Sequence, residues 1–128
     1  MQRVNKAMYS LLKTWVTAET NVYPAVATED ANYPYCVFSF DEMTTKRTKD
    51  GVYAYIFRYS VDIWGCTFNQ SDQVATAVMA ASAKENPLLF DNPPGKIRPM
   101  LIGGQTDYSD GGYVQRLIYE IEYQGEVV

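Results

Sequence analysis

The sequence predicts an α+β fold: a mostly antiparallel sheet with two helices packed on one face, in the order α-β-β-α-β-β. Three observations carry this. Apolar residues recur at helical spacing over 3–17 and again over 71–85. Residues 52–65 alternate strictly, with Tyr53, Tyr55, Phe57, Tyr59, Val61 and Ile63 on one face. A second alternating run, Tyr113–Tyr123, follows two Gly-rich breaks.

The first helix has Val4, Met8, Leu11, Leu12 and Trp15 in one stripe, with Arg3, Lys6, Ser10 and Lys13 off it. Its end is expected near Asn21, before Tyr23-Pro24. Residues 21–33 read as irregular chain, with room for a minor strand near Tyr23. Tyr35–Phe40 is apolar on both faces, which predicts a central, covered strand. Lys46–Gly51 reads as a hairpin turn, because Asp-Gly favours one. On the long strand 52–65, Ala54, Arg58, Ser60 and Asp62 face away from the Tyr row, with Val52, Ile56 and Trp64.

The second helix is expected to bury Val74, Ala77, Val78 and Ala81, with Asn69 or Ser71 as N-cap. Asn86-Pro87 stops it, and Asp91–Lys96, containing Pro93-Pro94-Gly95, reads as a surface loop. Ile97–Ile102 is a strand, Gly103-Gly104 a bulge or bend, and Ser109-Asp110-Gly111-Gly112 a turn. The last strand puts Tyr113, Leu117, Tyr119, Ile121 and Tyr123 on one face and Arg116, Glu120 and Glu122 on the other.

Composition narrows the function. The chain has 128 residues, enough for one domain over 1–128, and carries 11 Lys plus Arg against 15 Asp plus Glu, a net charge of -4. It has no His, which excludes a Ser-His-Asp triad and a His-ligated zinc. Its two cysteines cannot make a four-cysteine metal site. A pI near 4.7 argues against broad phosphate contact. No apolar run approaches the roughly 18 residues of a membrane span, and Met1–Thr17 is too polar for a signal peptide, so a soluble, intracellular protein is expected. No catalytic, cofactor-binding or metal-ligating set is assigned.

Four groups of side chains remain as candidate sites. Glu120 and Glu122 share a strand face about 6.6 Å apart, at roughly 3.3 Å per residue. With Asp62 on the matching face, such carboxylates can run acid-base chemistry or hold a hard cation. The plainer reading is a polar face salt-bridged by Arg58 and Arg116, or an oligomer interface where charges set register. Tyr53, Tyr55, Tyr59, Tyr119 and Tyr123 line either a pocket or the core. Lys46, Arg47 and Lys49 sit on a hairpin tip, as a solvated turn or a phosphate contact. If that hairpin turns near residue 48, Cys36 opposes Ser60 and Cys66 lies on the order of 20 Å away, too far for a disulfide's Cα separation of about 7 Å. Two free thiols are expected.

The run Tyr33-Pro34-Tyr35-Cys36-Val37-Phe38-Ser39 follows the first helix and its irregular segment, and a polar hairpin comes next. Then Tyr59-Ser60-Val61-Asp62-Ile63-Trp64-Gly65 leads into the Ala-rich Val74-Ala75-Thr76-Ala77-Val78-Met79-Ala80-Ala81. Across roughly residues 3–85 this resembles the tail terminator, or tail completion, proteins of long-tailed phages, the group that includes the lambda-type terminator. The resemblance implies a virion structural protein with no catalytic activity and no cofactor. It would form a ring, commonly a hexamer, on the head-proximal end of the tail tube, after assembly in the host cytoplasm. Its partners would be other copies of itself, the tail tube protein and the head connector protein, with DNA only passing through the lumen and no membrane. On that reading Arg58, Asp62, Arg116, Glu120 and Glu122 become oligomer-interface candidates, and Lys46, Arg47 and Lys49 lumen or partner contacts. Two rival roles stay open: a head-side connector or neck protein, and a small ligand-binding module or His-independent isomerase using Asp and Tyr.

Overall fold

The computed structural model describes residues 2–109 and 111–126. The elements are α1 (Gln2–Trp15), β1 (Asn21–Pro24), β2 (Tyr35–Thr48), β3 (Gly51–Gly65), α2 (Phe68–Ala83), β4 (Leu88–Asp91), β5 (Pro94–Ser109) and β6 (Gly112–Gly125). One sheet runs β1-β2-β3-β6-β5-β4. Every pairing is antiparallel except β1 with β2, which is parallel. Both helices lie on one face, as the sequence predicts.

The stripe of α1 is buried as read, with Ala7 added to Val4, Met8, Leu11, Leu12 and Trp15. Beneath it lie Phe57, Tyr59, Val61 and Ile63 of β3 and Leu117, Tyr119, Ile121 and Tyr123 of β6. Alternation put those residues on one face, and burying them beneath the helices is the main stabilising contribution of the fold. No helix among the described residues is long and apolar enough to cross a membrane.

The structure corrects several expectations. Helix α1 ends at Trp15, well before Asn21, because Thr17 and Thr20 close a turn through a 2.7 Å hydroxyl pair and the Thr20 N–H bonds the Thr17 carbonyl. Helix α2 begins at Phe68 with Thr67 as N-cap, its hydroxyl accepting the Gln70 N–H at 3.1 Å. Neither Asn69 nor Ser71 caps it. Its buried residues are Ser71, Val74, Ala75 and Val78, with Ala77 and Ala81 only half-buried. The run from Tyr35 is covered on one face, at Cys36 and Phe38, while Tyr35 and Val37 are half-buried on the other. The 91–96 segment is not a surface loop. Leu88–Asp91 forms β4, and a tight turn returns the chain into β5, so that Asp91 pairs with Pro94 and Leu88 with Ile97. Both Asn92-Pro93 and Tyr33-Pro34 are cis.

The first hairpin also turns later than expected. Thr48 pairs with Gly51, which holds φ at 121°, a left-handed value that glycine adopts freely. Cys36 therefore opposes Ile63 and not Ser60. Both thiols are free, Cys36 buried and Cys66 exposed. The expected irregularity at Gly103 is present as a register shift after Leu101. In the last turn Ser109 pairs with Gly112; Asp110 lies outside the described residues.

Burial pushes the Cys36 thiol up to about 12, with Asp62 adding to the effect. A thiol-exchange reagent at pH 8 is thus expected to titrate one cysteine, Cys66, in the folded protein and two in denaturant. Two fast thiols in the native state would place Cys36 outside the core.

Candidate interaction surface

The face away from the helices is built by β2, β3, β6 and β5, and alternation fills it with charge. Asp62 and Arg116 are cross-strand partners, joined by two parallel hydrogen bonds: Arg116 Nε donates to Asp62 Oδ1 at 2.7 Å and Nη2 to Oδ2 at 3.0 Å. That fork is the strongest geometry available to the pair, and it raises the Arg116 pKa further.

Arg58 stands cross-strand from both Glu42 and Glu120, and its ion pair is with Glu42, at 3.2 Å. Glu120 makes no ion pair among the described residues. The Arg58 Nε is buried with no hydrogen-bond partner. Glu122 accepts from Lys46 at 3.1 Å and from Gln124 at 3.0 Å. The Gln124 amide, then the Lys46 hydrogen bond, holds the Glu122 carboxyl below its ordinary range. The Lys46–Glu122 pair spans β3 where Ala54 and Ile56 are buried.

The five predicted interface candidates thus share one face. Of the predicted cations, Lys46 belongs to this face through Glu122, Arg47 is the next-to-last residue of β2, and Lys49 lies in the turn. Sequence reasoning missed Glu42 and Asp41, which bonds Ser60. Both follow from a register shift between Phe40 and Glu42 that leaves no mark in the residue pattern.

The ion pairs are half in water, so each is worth little to the isolated subunit. The Asp62 and Arg116 side chains are 19% and 43% exposed. A double-mutant cycle with Asp62→Asn and Arg116→Gln is expected to return about 0.5–1 kcal/mol in thermal or denaturant unfolding, shrinking in high salt. The Glu122 pair should weaken in acid. A depressed folded pKa gives stability that is present above the unfolded value and lost as pH falls through the folded one.

The Tyr rows divide. Tyr59, Tyr119 and Tyr123 are fully buried, whereas Tyr53 is exposed. Each buried hydroxyl finds an edge: Tyr59 donates to Asn5 Oδ1, Tyr119 meets the Ser82 hydroxyl at 2.8 Å, and Tyr123 donates to the Glu126 carbonyl. Burial raises the pKa of Tyr59 and of Tyr119. Beside Tyr59 an open groove of about 790 Å³ runs between α1 and the edge of β2, over Tyr9, Phe38 and Phe40. No carboxylate lines it, and no group of three or more metal-ligating side chains occurs among the described residues. A His-independent isomerase would need a carboxyl group there.

Comparison with known proteins follows from the fold alone. No protein-family model matches the sequence, and no curated protein does. Solved structures match. One is a chain of the virion of a native gene transfer agent particle, with TM-score 0.61 and 14% identity over 96% of this chain and 88% of that one. Another is the sheath/tube terminator of the PVC extracellular contractile injection system in its extended state, with TM-score 0.65 and 14% identity. The match covers 98% of this chain but only 56% of that terminator. The chain has a terminator-like fold.

Proposed function

We propose that this chain is a tail-terminator-type structural protein of a phage, prophage or phage-derived particle. It forms a ring on the head-proximal end of a tail tube, ends tube polymerisation and offers the surface on which the head side joins. The observation that carries this reading is the fold match to a sheath/tube terminator over 98% of the chain. The chemistry of the surface agrees. Its most organised polar feature is a set of cross-strand ion pairs, and the open groove carries no acid or base in a catalytic arrangement.

A ring needs a heterologous contact, in which two different patches of one subunit meet and the rotation closes. The charged face, with Arg58, Asp62, Arg116, Glu120 and Glu122, is proposed to contribute to that contact or to border it. Arg47 and Lys49 are proposed as partner or lumen contacts. A net charge of -4 suits a channel through which DNA slides without being gripped.

The test is to add the purified protein to polymerising tail-tube protein and follow tube length by electron microscopy. Short, capped tubes are expected, with the protein at one end only. In the same assay Arg47→Glu with Lys49→Glu should weaken capping while leaving the melting temperature within about 2 °C, since both are exposed. Tubes of unchanged length at saturating protein would defeat the proposal. Copurification with portal-side proteins in place of tube protein would transfer the role to the head side.

A further inference from the structure

The two edges of the sheet are stepped, and the steps match. On one edge β1 covers β2 only from Tyr35 to Phe38. Among the described residues no strand pairs with the outer side of β2 from Ser39 to Thr48. On the other edge β4 covers β5 only from Pro94 to Ile97. There, among the described residues, β5 is open from Arg98 to Ser109.

Following the register across the sheet shows where each step lies. Leu88 of β4 pairs with Ile97, Ile97 with Tyr123, Tyr123 with Tyr55 and Tyr55 with Thr45. So β4 stands level with the open end of β2. Val22 of β1 leads in the same way through Cys36, Ile63 and Gln115 to Thr106. So β1 stands level with the open end of β5. Each edge has a short strand where the opposite edge has a gap.

The geometry points to a half-lap joint between copies of this chain. The β4 strand of one subunit lies along Thr45–Thr48 of the next, parallel to β2, while β1 of that next subunit lies along Gly104–Asp107 of the first, antiparallel to β5. The occupant of each open edge is thus a second copy. Because the matching segments are level, successive copies join without a shift along the strands, an arrangement compatible with a closed ring.

Charge agrees with this pairing. Arg47 and Lys49 at the tip of the β2–β3 hairpin have no ion-pair partner among the described residues, nor has Asp91 at the end of β4, and the joint brings them together. The open segments are also what an isolated protein would have to protect: Leu101, Ile102 and Tyr108 are exposed along β5, at 37%, 45% and 60%. The joint pairs Gly104–Asp107, the segment between Ile102 and Tyr108, by the backbone bonding that sheets use to add strands.

This inference rests on the ring reading, and amide hydrogen exchange separates the two. Exchange is measured on the unmodified protein at dilutions where light scattering reports subunit and at concentrations where it reports ring. Outward amides in Thr45–Thr48 and Gly104–Asp107 are expected to slow about tenfold or more in the ring, one hydrogen bond's worth. A ring whose edge amides exchange as in the subunit overturns the joint and leaves the ring standing. A protein that stays monomeric at every concentration, and also with tail-tube protein, overturns both. A second variant set, Asn21→Cys with Asp107→Cys in a Cys66→Ser background, should give a covalent ladder on oxidation. Either cysteine alone should give none.

Discussion

Trp15→Ala is expected to lower the unfolding free energy by about 3–5 kcal/mol, a large part of the roughly 5–15 kcal/mol that holds a domain of this size together. Trp15 is the last residue of α1 and is 3% exposed. Its ring stacks on Tyr119 of β6, with centroids 5.5 Å apart and planes at 29°. Its indole N–H donates to Glu85 Oε2 at 3.1 Å, just beyond α2. One side chain therefore joins the first helix, the end of the second and a central strand. Alanine would leave a void bordered by Tyr119, which is itself fully buried and anchored through Ser82, so the site cannot collapse easily. Trp15→Phe keeps most of the ring contact and removes the indole bond, and should cost about 1–2 kcal/mol. Urea unfolding followed by circular dichroism measures both. A loss under about 1 kcal/mol for the alanine variant would mean that α1 does not dock on the sheet as described.

Where the residue pattern was long and one-sided, the sequence was legible. Helix α1 carries large apolar side chains at four- and three-residue spacing, and β3 and β6 alternate over many positions. Patterns of that length leave one arrangement that buries the apolar face. Short or irregular features were not legible. Leu88-Leu89-Phe90 is too brief to declare a strand, and Pro93-Pro94 looks like loop until β5 is there to pair with it. The hairpin register was misplaced because Asp50-Gly51 closes the turn later than residue 48, while the irregularities after Phe40 and after Lys46 offset each other. Neither is fixed by alternation, which repeats every two residues and cannot count absolute register. The N-cap was available. Thr67 and Gln70 stand at the spacing of a capping box, and the Gln70 side chain reaches back to the Cys66 N–H at 2.8 Å.

The charged face shows the same division. That Arg58, Asp62, Arg116, Glu120 and Glu122 would share a face followed from period alone. Which acid met which base did not. Arg58 pairs with Glu42, across the bulge, and Lys46 reaches Glu122 across β3. Partner choice depends on register to one residue, so sequence reasoning yields the face here and leaves the pairing open. At 14% identity the likeness to that solved structure is one of fold, in the shared arrangement of strands and helices.

Gly65→Ala is expected to cost about 1–3 kcal/mol, although only one methyl is added. Gly65 ends β3, pairs with Tyr113 and is buried where the chain turns into α2. A Cβ built there meets the Ser71 backbone nitrogen at 2.6 Å and its Cα at 3.1 Å. That neighbour is main chain in the first turn of a helix, so no rotamer change can relieve the contact. Either α2 moves off the sheet or the end of β3 moves away from β6. Both motions disturb Ser71, which is fully buried and receives a 3.4 Å hydrogen bond from the Gln115 amide. The matched control is Gly103→Ala, where a Cβ meets nothing within 4 Å. It should change stability by no more than about 0.5 kcal/mol. At about 4 °C per kcal/mol for a chain of this length, thermal melts of the two variants should differ by several degrees. Equal melts would show that α2 tolerates displacement. The Ile63-Trp64-Gly65 run would then need another explanation than the close approach of helix to strand.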